Sequence, residues 1–205
     1  MKRRGIPAHL KRLLPGVILN RSEIQCITRA VRAHGPCNLL VFGVGNDSGY
    51  WDATNGRRGN RGHTLFVEDN PAWAQWAVRR WPHLNVARVA YGTIRSQWRE
   101  YLAHPSARRA LDVPAVLRER PWDVVLVDAP EGWGDETPGR MKSIDMAARV
   151  AAPGADVFVH DCDREVERAC VDAFLGTTDL RCEVGRLRHY RLPGSASPAS
   201  LMDAR

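Results

Sequence analysis

The sequence predicts an α/β fold, a mostly parallel Rossmann-like sheet with helices on both faces and an antiparallel edge. Three observations carry that expectation. Short apolar runs alternate with amphipathic stretches along the 205 residues, the pattern of repeated βαβ units. The run Asn38-Leu-Leu-Val-Phe-Gly-Val-Gly-Asn-Asp-Ser48 stops on two glycines, where the backbone can turn sharply and come close to a ligand. Other apolar runs stop on acidic residues: Glu68 closes one, Asp128 another, and the pair His160-Asp161 a third.

The elements follow in order. Residues 1–15 form a basic arm ending at Pro15-Gly16, 16–192 a single domain, and 193–205 a flexible Ser-, Ala- and Pro-rich tail. Ser22 caps a helix over 22–32, with Ile24, Ile27, Ala30 and Val31 on one apolar face. The apolar run 39–42 suits a strand covered on both sides. A short helix follows over 50–55, then a turn-rich connection to a strand over 64–67. Asn70-Pro71 opens a helix reaching Trp81, on which Trp73, Trp76 and Trp81 read as packing residues. A third strand spans 85–90, and residues 95–120 are mainly helical, broken near Pro105 and Pro114. The strand 122–128 precedes a polar loop to Arg140 and a helix to Val150, with a turn at Pro153-Gly154. A fifth strand over 156–161, a helix over 164–174 and two edge strands over 181–184 and 186–192 complete the sheet.

Composition narrows the function classes. No apolar run approaches the ~18 residues of a membrane span, and no apolar core follows the basic N-terminus. The reading is a cytoplasmic protein that engages no membrane. Five cysteines without C-x-x-C spacing suit free thiols in a reducing compartment and predict no structural zinc site. The net charge of +7 rests mostly on arginine, and pairs such as Arg57-Arg58 and Arg108-Arg109 never lengthen into a basic tract. No nucleic-acid partner is therefore expected, whereas an acidic small substrate or oligosaccharide suits the charge.

In doubly wound sheets ligands bind at the carboxyl ends of the strands, so the residues there are the candidates. Gly43, Gly45, Asn46, Asp47 and Ser48 form the loop after the first strand, and Glu68 can accept from ribose hydroxyls. Ser48 stands where a dinucleotide fingerprint has its third glycine. That departure favours S-adenosylmethionine (SAM), which has no pyrophosphate to cradle. Tyr91, Thr93 and Asp128 extend the candidate cofactor contacts. Asp128, His160 and Asp161 can serve as acid and base for hydroxyl methylation. Alternatively, Asp128, Asp161 and Asp163 can hold a divalent metal, or each Asp simply caps a helix or turn. The glycine-rich 128–141 segment reads as a substrate lid. Its Glu131, Trp133 and Arg140, with Arg164, Arg186 and Arg188 beyond it, are the candidate acceptor contacts. Arg186 and Arg188 alternate to one strand face, which points either into the cleft or to solvent.

Several of these stretches together resemble one family. Pro36 to Ser48, Thr64-Leu-Phe-Val-Glu68, Val89-Ala-Tyr-Gly-Thr93, the 128–141 lid, Val157 to Arg164 and Gly185-Arg-Leu-Arg-His189 are similar to the glucuronoxylan 4-O-methyltransferases of plant cell-wall biosynthesis. The most specific pieces are Asp128-Ala-Pro-Glu-Gly132 and Pro138-Gly-Arg-Met141. The resemblance implies a SAM-dependent methyltransferase fold, with O-methylation of a uronic-acid-type sugar. By position, Gly43, Gly45 and Glu68 would bind SAM, and Asp128, Arg140, His160 and Asp161 would line the reaction site. Asn46 stands where the plant proteins usually have His, Trp133 where they have Tyr, and Asp145 where they have Tyr. These changes leave the SAM residues intact and argue against xylan as the acceptor. The arginine-rich, compact chain, read as soluble and lacking the Golgi anchor, looks bacterial, acting on a small metabolite or a different glycan. The competing functions are N-methylation of a small metabolite and a non-catalytic nucleotide- or nucleic-acid-binding module.

Overall fold

A computed structural model describes residues 17–57, 60–104 and 113–194 of the chain. The basic arm through Pro15-Gly16, the break at Pro105 and most of the tail lie outside those residues.

Helix α1 (Arg21–His34) begins one residue before the expected Ser22 because Asn20 is its cap. The Asn20 carboxamide accepts from Ser22 and Glu23 N–H, while the Glu23 carboxylate accepts from Asn20 N–H at 2.6 Å. Both first-turn donors are thereby satisfied, a reciprocal cap that Ser22 could not have made alone. Strand β1 (Asn38–Phe42) is buried nearly throughout, and α2 (Ser48–Asn55) follows the glycine loop. The turn-rich connection contains a two-rung ladder, β2 (Gly56–Arg57) with β3 (Asn60–Arg61), before β4 (His63–Glu68). Helix α3 (Pro71–Arg80) is capped by Asn70 with proline in its first turn. Strand β5 (Val86–Arg88), a 3-10 turn (Arg95–Gln97), α4 (Trp98–Ala103) and α5 (Ala115–Arg118) precede β6 (Trp122–Val127). Then come α6 (Met141–Val150), β7 (Ala151–Val159), α7 (Glu165–Phe174), β8 (Leu180–Val184) and β9 (Leu187–Arg191).

The seven-stranded sheet runs β5-β4-β1-β6-β7-β9-β8. The first five strands are parallel, and β9 lies antiparallel to β7 and β8. One deviation is local. Pro153-Gly154 lies inside β7, where the register jumps from Trp122↔Ala151 to Val124↔Asp156. The extra residues on β7 bulge away from β6, so the expected turn is absorbed as an irregularity of one long strand.

Two apolar layers cover the sheet. One holds Leu40, Phe42, Leu65, Val125, Val127, Ile144 and Val171, packing α6 and α7. The other holds Ile27, Val31, Leu39, Val41, Trp51, Phe66 and Phe158, packing α1 and α2. Because both faces are covered, β1, β4 and β6 read as continuous apolar runs rather than alternating ones. Chain order reverses between β1 and β6, and the carboxyl ends of these neighbours open the crevice that such sheets use for ligands.

Candidate active site

A cleft of about 440 Å³ opens at the carboxyl ends of β1, β4, β6 and β7. Its floor begins at Gly43, whose φ of +111° lies outside the range of ordinary residues and whose N–H donates to Val67 O at 2.7 Å. A Cβ at Gly43 would sit 2.9 Å from the Ala129 Cβ, so the β1 and β6 loops meet only because position 43 has no side chain. Ser48 is buried and accepts from Gly45 N–H at 2.9 Å, which shapes the loop from beneath. Gly45, Asn46 and Asp47 face the cleft. Asp47 accepts from the Trp51 indole at 2.9 Å. Burial, then the charge of Asp128, pushes its carboxyl up to about 6.

Glu68 reaches from the end of β4 to accept from Val44 N–H at 2.9 Å and from Asn70 N–H at 2.8 Å. Burial pushes its carboxyl up, and those two backbone donors oppose the rise. Each oxygen keeps a second lone pair for a ligand hydroxyl. Asp69, Asn70 and the 44%-exposed Trp73 complete this wall. Trp73 thus departs from the packing role that Trp76 and Trp81 keep in their edge-on contact. Tyr91 lies beneath the wall rather than in it, and its buried hydroxyl has no hydrogen-bond partner among the described residues. Burial and the charges of Asp69 and Glu68 push that phenol well up, so it stays a neutral donor. Thr93 does not face the cleft either: its hydroxyl donates to Pro138 O at 2.8 Å and ties the chain to the lid.

The opposite end gathers the arginines. Asp161 adopts φ +62°, a left-handed conformation uncommon outside glycine, asparagine and aspartate. It receives Arg140 at 2.8 Å, Arg164 at 3.0 Å and Arg186 at 2.7 Å. All three arginines line the cleft, as do Asp128, Glu131 and the 74%-exposed Trp133. Asp128 accepts from His160 Nδ1 at 2.9 Å, with Arg140 at 3.3 Å. Burial pushes the Asp128 carboxyl up, but His160 and the charges of Arg140 and Arg186 outweigh it and hold the group below its ordinary value.

His160 has no exposed surface and stands behind Asp128, with Nε2 3.6 Å from Glu23 Oε2. A carboxylate only accepts, so the bond to Asp128 places a proton on Nδ1. The imidazole can orient Asp128 but cannot itself touch an acceptor in the cleft. Glu23 is the residue that sequence reading missed here. The Asn20-x-x-Glu23 spacing signals its capping role, but nothing local signals its bond from Arg186 N–H at 2.7 Å or its place beside His160.

Two expectations need correction. Arg188 turns away from the cleft to Glu183 at 2.6 Å and Asp172 at 2.8 Å, because Arg186 lies in the turn before β9 and the two do not share a face. The metal set does not fit a divalent ion. Asp163 is exposed and outside the cluster, while Asp128, His160 and Asp161 offer atoms within 4.8 Å of one another. Both Asp161 oxygens already serve guanidinium groups, as does Asp128 Oδ1. A cation there would face three fixed positive charges.

A family model described as IRX15/IRX15L/GXM matches residues 22–190. The chain belongs to that family. It is 36% identical to glucuronoxylan 4-O-methyltransferase 2 of Arabidopsis thaliana over 83% of this chain and 64% of that protein. It is 33% identical to arabinogalactan O-methyltransferase 1 of the same plant, over 89% and 70%. The chain thus spans just under two thirds of the length of its glucuronoxylan relatives. Its fold matches the O-methyltransferase TomG of Streptomyces achromogenes, solved with SAM, at a TM-score of 0.57 and 19% identity over 91% of this chain and 86% of that one. The two chains therefore share a Rossmann-like fold. Among the described residues, no helix is long and apolar enough to cross a membrane.

Proposed function

We propose that this chain is a SAM-dependent O-methyltransferase whose acceptor is a sugar hydroxyl close to a carboxylate. The observation that carries the reading is the uneven charge of the cleft, acidic side chains alone at one end and every lining arginine at the other. Asp47, Glu68 and Asp69 line one end, and Arg140, Arg164 and Arg186 line the other. SAM combines a ribose with a cationic amino acid, and so suits the acidic end. Glu68 would accept from the ribose hydroxyls. Gly43 allows the close backbone approach. The sulfonium of SAM supplies an activated methyl group for in-line displacement.

The chain's own residues supply position and proton handling. Arg164 and Arg186, splayed from Asp161 and the more exposed of the three arginines, can hold a carboxylate through N–H donors, while the buried Arg140 fixes Asp128 and Asp161. Trp133 offers an open ring face for a sugar. Holding the acceptor hydroxyl in line lowers the barrier entropically. Asp128 is the one group of the Asp128-His160 pair that faces the cleft, and it accepts the hydroxyl proton as the oxygen attacks. The relatives' names, a glucuronoxylan 4-O-methyltransferase and an arabinogalactan O-methyltransferase, support a sugar hydroxyl as the acceptor.

The test is methyl transfer from labelled SAM into a panel of uronic-acid oligosaccharides, matched neutral sugars and small amines. Label on the hydroxyl of an acidic sugar is expected. Label on amines alone would move the reading to N-methylation. Absence of SAM binding, with salt-sensitive binding of nucleic acid instead, would overturn the enzyme reading.

A further inference from the structure

Cys26, Cys182 and His189 come from three separate elements, and none lines the cleft. The fold nevertheless brings them together. Strands β8 and β9 form a hairpin about Gly185, whose φ is +61° and whose hypothetical Cβ would collide with the Glu23 carboxylate. With no side chain at Gly185, the turn sits against Glu23, which accepts from Arg186 N–H at 2.7 Å and holds it in place. The register then pairs Val184 with Leu187, Glu183 with Arg188 and Cys182 with His189. Directly opposed residues project to the same side of a sheet, and α1 brings Cys26 to that side. The two Sγ atoms and a His189 ring nitrogen lie within 4.8 Å of one another, with Cys182 Sγ 3.9 Å from His189 Nδ1.

The His189 ring is fixed on two further sides. It stacks on Phe158 with centroids 4.3 Å apart and planes 15° from parallel. Its Nε2 lies 2.7 Å from Asp156 Oδ1. The carboxylate can only accept, so the proton sits on Nε2 and the Nδ1 lone pair faces the thiols. Asp156 is itself held by His34 at 2.7 Å and by Arg191. A carboxylate orienting an imidazole whose other nitrogen points at sulfur is the arrangement around metal-binding histidines. Tetrahedral zinc, with bonds of about 2.0–2.3 Å, needs ligand atoms about 3.5–3.8 Å apart. The three atoms need to close by no more than about 1 Å to meet that geometry.

We propose that Cys26, Cys182 and His189 bind one soft divalent cation of the Zn²⁺ class, leaving the fourth position to water. Two sulfurs and an imidazole select such an ion over magnesium or calcium, which prefer oxygen. The thiolate is the ligand, so coordination releases the thiol protons. The bound ion would clamp α1 to the β8–β9 hairpin. This site stands apart from the methyl-transfer reading, because none of its ligands enters the cleft.

Cobalt makes the test spectroscopic. The full chain, reduced and chelator-stripped, is titrated with Co²⁺. A thiolate-to-cobalt charge-transfer band with tetrahedral ligand-field bands should saturate at one equivalent and vanish on adding Zn²⁺. In competition with a chromophoric chelator, Cys182→Ser and His189→Gln should each weaken Zn²⁺ binding at least ~10-fold. Both positions are partly exposed, and circular dichroism checks that the variants fold. Absence of the charge-transfer band in the reduced wild-type chain overturns the site. So does a band that persists in the Cys26→Ser/Cys182→Ser double variant, or unchanged affinity in His189→Gln.

Discussion

Asp128 is held ionised where it faces the cleft, because the His160 bond and the Arg140 and Arg186 charges outweigh its burial. Such a group takes a proton late, once the attacking hydroxyl has become acidic, and its removal should cost the chemical step most. Asp128→Asn is expected to lower kcat by ~10²–10⁴-fold, while calorimetric binding of S-adenosylhomocysteine stays close to wild type. Near-normal turnover would remove Asp128 from the mechanism. Asp47 behaves oppositely. Its carboxyl rises from 3.8 to about 6, so between those values the folded chain keeps a proton that the unfolded chain has lost. The ionised form is the disfavoured one when folded. Stability therefore falls as pH rises through that window, and the full cost is reached above pH 6. Asp47→Asn should raise the melting temperature at pH 8, by about 1–3 kcal/mol of stability, and leave it unchanged near pH 3.5. Melting curves at the two pH values decide this, and an equal gain at both would refute the account. At this scale the strand-end residues were legible because position alone implied them. The burial of His160 and the outward turn of Arg188 were not, since both depend on which neighbour fills the adjoining layer.

Elements carry the next layer of constraint, and the β1 loop is the tightest. Gly43 combines a positive φ with a contact to Ala129 that leaves no room for a methyl group. Gly43→Ala should therefore cost about 1–3 kcal/mol from backbone strain alone, read as a lower urea midpoint at unchanged m, and should abolish SAM binding. Glu23 links three elements at once. It caps α1 through Asn20 N–H, receives Arg186 N–H before β9, and lies beside His160 after β7. Glu23→Ala leaves two backbone donors without partners, at about 1–3 kcal/mol each, and Glu23→Gln should recover part of that loss by keeping an acceptor oxygen. Equal destabilisation by both substitutions would show that volume, not hydrogen bonding, is what Glu23 contributes. Strands β1, β4 and β6 were readable to within a residue or two because burial on both faces writes an unbroken apolar run. The lid was readable only as a polar interruption. What orders it is tertiary: Arg95 N–H on Thr137 O, Ser96 N–H on Asp135 O and Thr93 on Pro138.

Across the whole molecule, the net charge of +7 says less than its arrangement. Composition alone left the excess arginine as a solvated surface or an attraction for an acidic substrate. The fold gathers Arg140, Arg164 and Arg186 from α6, α7 and the β8–β9 turn onto one aspartate at the cleft, a convergence no local pattern could reveal. At the acceptor end Asp128, Glu131 and Asp161 balance the three arginines, whereas Asp47, Glu68 and Asp69 face no lining cation and make the other end acidic. Such a polarised cleft should bind an acidic acceptor more tightly than its neutral counterpart, and salt should weaken only the former. Arg186 is the most exposed of the three, with 38% of its side chain accessible, and Asp161 keeps its other two partners when Arg186 is replaced. Arg186→Gln is thus expected to raise KM for a uronic-acid acceptor about tenfold, the loss of one charge-assisted bond of ~1.5 kcal/mol. kcat should change little, because the contact is made equally in the bound substrate and the transition state. KM for a neutral sugar should not move. Initial rates at low and high ionic strength, with both acceptors and both proteins, separate the cases, and a salt-independent KM for the acidic acceptor would remove the arginine cluster from recognition.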